Sequence, residues 1–190
     1  MRRGFADRLR AVEFGPLSRR YFVSNGFDGA LTCVGLVVGA FLSGVPDGVT
    51  VVRVGAGAAV GLATSGVWSV WEIERAEKRA ELERLEAAML ADLGGTAPDR
   101  RRRRERVVNA VASGAGPVLG VLVPLAPFLL EGTLVTMAEA TVAAVVTAVA
   151  ILFGFGAFLS RESDQWWLVA GLRMGAAGLF VALLTLVLPG

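Results

Sequence analysis

The sequence predicts an all-α integral membrane protein with five transmembrane helices. Of its 190 residues, 54% are hydrophobic, and the mean hydropathy is +0.60. Five stretches carry no charged residue: 29–46, 54–71, 107–130, 140–160 and 174–190. Each is close to the roughly 20 residues that cross a hydrocarbon core as a helix. The apolar residues do not alternate with polar ones as they would in a soluble helix or strand, so a soluble, secreted or nucleic-acid-binding domain is excluded.

Residues 1–20 form a basic N-terminal segment. Phe5, Leu9 and Val12 fall on one helical face and Arg8 and Arg10 on another, a pattern typical of a short amphipathic helix on an anionic leaflet. A disordered basic tail is the alternative. We predict spans at residues 22–43, 50–71, 107–130, 133–159 and 166–188, so that residues 21–71 and 107–190 are the two membrane-embedded parts.

Basic residues indicate the orientation of these spans. Seventeen of the 19 lysines and arginines lie before the first span, between spans two and three, or between spans four and five. The opposite side has only Arg53, and Arg173 lies within span five. Because cytoplasmic loops carry the excess of Lys and Arg, we expect a cytoplasmic N-terminus and an external C-terminus, in a prokaryotic plasma membrane.

Residues 72–106 form a large cytoplasmic segment, an acidic helix followed by a basic connector. Strong helix formers from Glu72 to Leu93 predict that span two continues into the cytoplasm and ends at Gly94 and Gly95, before a turn at residues 96–99. The arginines that follow are expected to bind anionic lipid headgroups: Arg100, Arg101, Arg102, Arg103, Arg104 and Arg106. An apolar stripe on the acidic helix needs burial, which predicts a homodimer: Leu82, Leu85, Met89 and Leu93.

Small residues and prolines determine how the spans can pack. Four glycine pairs have the four-residue spacing that lets helix backbones approach closely: Gly35 and Gly39, Gly57 and Gly61, Gly116 and Gly120, and Gly171 and Gly175. Span three contains Pro117, Pro124 and Pro127. These prolines remove backbone donors within the membrane and predict a bent helix.

Asp28 is the first candidate for a functional residue, because a charge inside a span is costly and by default marks a functional site. Asn25 lies one turn before it and Thr32 one turn after it, so carboxylate, amide and hydroxyl oxygens share one face. Such oxygens suit a divalent cation. Arg173 lies at a similar depth in span five, and a buried Asp28–Arg173 ion pair is the alternative.

Further carboxylates lie outside the centre of the membrane. Glu74, Glu77 and Glu81 share one face of the cytoplasmic helix and could converge on a divalent cation, particularly with ligands from a second subunit. A solvated face with ordinary i,i+4 salt bridges is the alternative. Glu139, near the outer end of span four, is expected either to pair with Arg53 or to serve as an exit ligand.

The sequence contains no motif typical of an enzyme. It has no histidine, no GxxxxGK loop, no CxxC and no HExxH. We therefore expect a protein that is not an enzyme, holds no tightly bound cofactor and has no nucleic-acid partner.

Several stretches resemble the vacuolar iron transporter (VIT) family. Residues 19–32, with the sequence RRYFVSNGFDGALT, resemble its first span, residues 72–86 its glutamate-rich extension of span two, and residues 116–128 its span-three proline motif. The chain looks closest to a short prokaryotic branch. Residues 61–69 lack the methionine and the glutamate that the family usually carries there.

This resemblance implies a dimeric, five-helix carrier that moves Fe²⁺, sometimes Mn²⁺, out of the cytoplasm in exchange for protons. It implies that Asp28 is the intramembrane carboxylate and that Glu74, Glu77 and Glu81 gather the ion. The leading hypothesis is therefore a proton-coupled divalent-cation transporter. The competing hypothesis is a non-transporting membrane scaffold whose cytoplasmic helix docks a partner.

The expected orientation predicts which positions a membrane-impermeant thiol reagent reaches. In a Cys33→Ala background, Thr96→Cys should be labelled only after the cells are permeabilised, because residues 72–106 lie inside. Pro46→Cys, between spans one and two, should be labelled on intact cells and serves as the control. Equal labelling of both positions on intact cells would contradict the orientation.

Overall fold

Five long helices form the described structure, which is a computed structural model covering residues 15–90, 97–160 and 165–187, with side chains of the third helix from residue 103 onward. Each is long and apolar enough to cross a membrane, which confirms the predicted fold class. The helices are α1 (Pro16–Leu42), α2 (Gly48–Met89), α3 (Ala97–Leu125), α4 (Met137–Leu159) and α5 (Trp167–Val187), with a short 3-10 helix at Ala126–Leu130. The amphipathic N-terminal helix predicted before α1 lies outside the described residues.

The arrangement of the helices places α1 and α3 at the centre. α1 makes its most extensive contact with α3, and α3 also packs along α2. α4 and α5 pair with each other and pack against the other side of α1. The apolar core includes Cys33 and Val37 of α1, Val121 and Leu125 of α3, and Ala144 of α4, all of them buried.

The contact between α1 and α3 is a direct approach of two backbones. A Cβ atom added at Gly120 would lie 2.5 Å from the carbonyl oxygen of Gly26, and one added at Gly29 would lie 2.7 Å from Cα of Pro117. Gly116 lies equally close to the carbonyl oxygen of Phe22. The predicted pair of Gly116 and Gly120 is therefore a helix-packing motif, and its partner surface on α1 is Gly26 and Gly29.

The other predicted glycine pairs differ in their surroundings. A Cβ atom added at any of four glycines would meet no atom within 4 Å: Gly35, Gly39, Gly57 and Gly61. Gly171 packs against the ring of Phe153, with 2.7 Å from the added Cβ to the nearest ring carbon. Four-residue spacing alone therefore did not distinguish packed glycines from open ones.

The ends of α1 and α2 are set by their flanking residues. α1 begins at Pro16, six residues before the predicted span. α2 is one continuous helix of 42 residues, which agrees with the predicted continuation of span two beyond its apolar stretch. It ends at Met89, where Leu90 adopts a left-handed conformation with φ 49°, so the predicted end at Leu93 is wrong. Gly94 and Gly95 lie outside the described residues.

Asp47 caps the N-terminus of α2. The Thr50 N–H donates to its carboxylate at 2.8 Å and the Thr50 hydroxyl at 2.9 Å. These bonds, with the nearby charge of Arg53, hold the pKa of Asp47 below its usual value. The stabilisation that this ionised cap gives to the folded protein is therefore fully present when the pH is above the ordinary aspartate pKa. It is lost as the pH falls through the lowered pKa of Asp47.

Two further boundaries differ from the predictions. α3 begins at Ala97, so a turn over residues 97–99 is wrong, because Pro98 in the first turn of a helix costs no intrahelical bond. α3 contains Pro117 and Pro124 and gives way to the 3-10 helix at Ala126. α4 begins at Met137, four residues later than predicted, because Thr136 and Glu139 form a capping box there.

The packing of α1 on α3 predicts a strong effect of a single methyl group. Gly116→Ala should lower the free energy of unfolding by about 1–3 kcal/mol, since the added Cβ would displace the backbone of α1. Gly39→Ala is the matched control: its Cβ meets nothing, and alanine should stabilise helix α1 by about 0.5–1 kcal/mol. Thermal unfolding in one detergent compares the two, and a Gly116→Ala protein as stable as the control would contradict the packing.

Candidate functional site

Polar side chains connect α1 with α2 and α3 near the end of the bundle that the sequence predicts to be cytoplasmic. The Ser18 hydroxyl donates to Asn109 Oδ1 at 2.6 Å, and both residues are buried. Asn25 Nδ2 donates to Ser113 Oγ at 3.1 Å. We call this set the polar layer, and it comprises Ser18, Tyr21, Asn25, Glu74, Asn109 and Ser113. Its members on α1 and on α3 recur at three or four residues, so each helix contributes one face.

Glu74 is the chemically most unusual member of the polar layer. Its side chain is completely buried, with 0% exposure. Tyr21 Oη donates to Glu74 Oε1 at 3.4 Å, whereas Oε2 is buried and has no hydrogen-bond partner among the described residues. A buried carboxylate needs a compensating hydrogen bond or a positive charge. Glu74 Oε2 therefore has the character of an unused cation ligand.

The other two predicted ligands on α2 differ from Glu74. Glu77 and Glu81 are both exposed, although they lie on nearly the same face of the helix. Within the described part of the chain, no three His, Cys, Asp or Glu side chains come together as a group that could hold a metal ion. One copy of the chain thus brings a single predicted cytoplasmic ligand, Glu74, into the interior.

Asp28 and its neighbours on α1 lie in different environments. Asp28 and Thr32 are exposed on the surface of the single chain. Asn25 uses its amide to donate to the Tyr21 carbonyl oxygen at 2.9 Å as well as to Ser113, so its amide group serves packing between α1 and α3. The three oxygen-bearing side chains predicted around Asp28 therefore do not form one closed site in a single copy.

The ion pairs considered for the membrane residues are not formed. The ion pairs of the described residues include Arg75–Glu72, Lys78–Glu105 and Arg79–Glu83. Asp28 and Arg173 are both exposed and do not pair with each other. The proposed Asp28–Arg173 lock between α1 and α5 is therefore absent from this chain.

Glu139 and Arg53 likewise have other neighbours. Glu139 Oε2 accepts from the Thr136 N–H at 2.8 Å and from its hydroxyl at 2.9 Å. Arg53 is exposed, and its charge helps to lower the pKa of Asp47, which caps the same helix. Glu139 thus caps α4 and does not pair with Arg53, because the capping box holds it at the helix N-terminus.

The basic connector and the apolar stripe are described in part. Arg103 and Arg104 are exposed, and Arg106 places its guanidinium 4.3 Å from the ring centroid of Trp71. Arg100, Arg101 and Arg102 fall outside the described side chains. Leu82 is half-buried, Leu85 and Met89 are exposed, and Leu93 lies outside the described residues.

Sequence reasoning missed four members of the polar layer: Ser18, Tyr21, Asn109 and Ser113. One signal was available, since Asn109 and Ser113 are polar residues one turn apart in a stretch without charges. Spacing within one helix could not show that their partners lie about ninety residues earlier in the chain, as the separation of Ser18 from Asn109 illustrates.

Comparisons with known proteins identify the family of this chain. The sequence profile of the VIT family matches residues 59–189, which is most of the chain. An uncharacterized protein of Methanocaldococcus jannaschii is 27% identical over 173 residues, covering 90% of this chain and 87% of the relative. This archaeal relative is consistent with a prokaryotic branch. The chain therefore belongs to the VIT family.

Proposed function

We propose that this protein carries a divalent metal cation, Fe²⁺ or Mn²⁺, out of the cytoplasm in exchange for protons. Membership of the VIT family implies metal-ion transport in general, and the family's members are transporters and not enzymes. The identity of the ion, the direction and the coupling to protons are our proposal. The five membrane-spanning helices supply the transmembrane framework that such a carrier needs.

The observation that carries this proposal is the buried carboxylate of Glu74. It lies at the start of the cytoplasmic part of α2, three residues after Trp71, and its Oε2 atom lacks a partner among the described residues. Carboxylate oxygens are common ligands for divalent cations of intermediate hardness. An ion that arrives from the cytoplasm would supply the charge that the buried carboxylate needs.

Asp28 is the proposed next ligand along the path. It lies within α1, two turns beyond Tyr21, which contacts Glu74. A single ionisable carboxylate inside the membrane can bind a cation and can release it when protonated, which suits an exchange of metal for protons. The exposed side chains of Thr32, Glu77 and Glu81 are secondary candidates for ligands.

A second copy of the chain completes the proposed site. No three potential ligands of the His, Cys, Asp and Glu types converge among the described residues of one copy, and a carrier needs more ligands than one carboxylate. We propose a homodimer that brings the exposed face of α1 and the stripe of α2 against their counterparts. We place it in the plasma membrane with a cytoplasmic N-terminus.

Transport by a variant of Asp28 tests the proposed path. In proteoliposomes, the wild-type protein should move Mn²⁺ faster when the receiving compartment is acidified. Asp28→Asn should reduce the rate at least about tenfold, because the amide cannot ionise, while its thermal stability stays at or above that of wild type, since no described hydrogen bond or ion pair is lost.

Asp47→Asn is the matched control for this experiment. Asparagine caps helices as well as aspartate does, so both transport and the stability of α2 should be preserved. A wild-type rate in Asp28→Asn would remove Asp28 from the path. An absence of transport of both Mn²⁺ and Fe²⁺ by the wild-type protein would overturn the proposed function itself.

The burial of Glu74 predicts opposite effects with and without metal. In a chelator, Glu74→Gln should unfold at or above the wild-type temperature, because a buried amide costs less than a buried carboxylate with an unpaired oxygen. Addition of Mn²⁺ at a hundred times its dissociation constant should stabilise wild type by about 2.7 kcal/mol and should not stabilise Glu74→Gln.

Glu72→Gln provides the control for Glu74. Glu72 is half-exposed and lies 3.7 Å from Arg75, so its substitution should leave the metal-dependent shift intact. An equal Mn²⁺ shift in wild type and Glu74→Gln would exclude Glu74 as a ligand.

A further inference from the structure

A basic pocket lies between the cytoplasmic part of α2 and the first turns of α3. Its volume is about 470 Å³, which falls in the range of roughly 300–1,000 Å³ that is typical of small-molecule sites. Of the seven described residues that line it, five are cationic and none is acidic. The lining residues are Trp71, Arg75, Lys78, Arg79 and Leu82 of α2, with Arg103 and Arg106 of α3. We call it the basic pocket.

Arg106 contributes an unused hydrogen-bond donor to the basic pocket. Its guanidinium lies over the ring of Trp71, 4.3 Å from the centroid. Its Nε atom is buried and has no hydrogen-bond acceptor among the described residues. A buried donor of a charged group is costly to leave unpaired, so this atom indicates an acceptor that is not part of the described chain.

Three cations of the basic pocket have a carboxylate neighbour: Arg75, Lys78 and Arg79. Arg75 lies 3.7 Å from Glu72 and Arg79 lies 3.0 Å from Glu83, but both pairs are largely exposed. Exposed pairs of this kind are weak. Arginine binds phosphate through two parallel hydrogen bonds, so an incoming phosphate can compete for both guanidinium groups.

The position of the basic pocket also favours an anion with a phosphate group. Trp71 is the last residue of the second charge-free stretch, and tryptophan is enriched at the interface of a membrane. Basic pockets between helices at the cytoplasmic surface are known sites for phospholipid headgroups. Lys78 contacts Glu105 at 3.2 Å across the pocket, so the two walls are already joined at one point.

We propose that the basic pocket binds a phosphate group, with Arg106 Nε as a donor and with Arg75, Lys78 and Arg79 as the opposite wall. The bound phosphate joins the cytoplasmic part of α2 to α3. The same chemistry is offered by the headgroup of an anionic phospholipid and by a soluble phosphate compound. This inference does not depend on metal transport.

Thermal unfolding of the delipidated full chain in detergent tests the proposal. One arm titrates phosphatidylglycerol, with phosphatidylcholine as the comparison lipid. The other arm titrates inorganic phosphate, with sodium chloride at matched ionic strength as the comparison salt. We expect a saturable rise in the unfolding temperature in at least one arm, larger than the rise with its comparison lipid or salt. The arm that gives this rise identifies the source of the phosphate.

Variants assign the effect to the basic pocket. Arg106→Gln should weaken the binding roughly tenfold, since it removes a charge-assisted hydrogen bond. Because Arg106→Gln also loses the contact with Trp71, the double variant Arg75→Gln with Arg79→Gln gives an independent measurement on exposed side chains. Arg84→Gln is the matched control, because Arg84 is an exposed cation of α2 that does not line the pocket.

The outcomes separate a built site from general attraction of anions. Loss of binding in Arg106→Gln and in the double variant, with wild-type binding in Arg84→Gln, supports the pocket. An equal loss in Arg84→Gln would show a diffuse charge effect and would overturn the proposal. The absence of a specific shift in both arms would overturn it as well.

Discussion

The direct contact of the α1 and α3 backbones is the constraint on which the polar layer and the basic pocket depend. A side chain at position 26 or 29 of α1 would crowd the backbone of Gly116 or Pro117 on α3. The two helices can therefore pack this closely only where these glycines face α3, which sets their register. In that register Ser18 meets Asn109 and Asn25 meets Ser113. The same register places the first turns of α3 beside α2, and both the polar layer and the basic pocket depend on that placement.

The fold could be predicted from the sequence because the physical signal is strong. Charge-free stretches of about 20 residues have few alternatives to membrane helices, and helix formers after Trp71 predicted the long α2. Helix ends were harder, because the signal there is local. Residues 133–136 are as apolar as the helix that follows, and only the capping box of Thr136 and Glu139 shows where α4 begins.

For the candidate site, the sequence could predict which polar residues share a face of one helix, but not which residues of other helices they contact. Spacing grouped Glu74 with Glu77 and Glu81, yet Glu74 is buried and hydrogen-bonded to Tyr21 of α1, whereas Glu77 and Glu81 are exposed. The same limit applies to Asp28, whose equal depth with Arg173 suggested a pair that the packing of α1 and α5 does not form. Depth and spacing follow from one helix at a time, whereas contacts depend on how two helices are rotated against each other.

The exposure of Asp28 is a feature that the proposed second copy of the chain would account for. A charged carboxylate within a membrane span is costly where it faces lipid, and Asp28 is exposed on the single chain. Exposed Gly57 and Gly61 of α2 leave a face without side chains, where a neighbouring helix can approach closely. A dimer that covers Asp28 would turn a destabilising exposed charge into a ligand shared by two subunits. The proposed dimer would thus both cover Asp28 and add ligands to the proposed metal site.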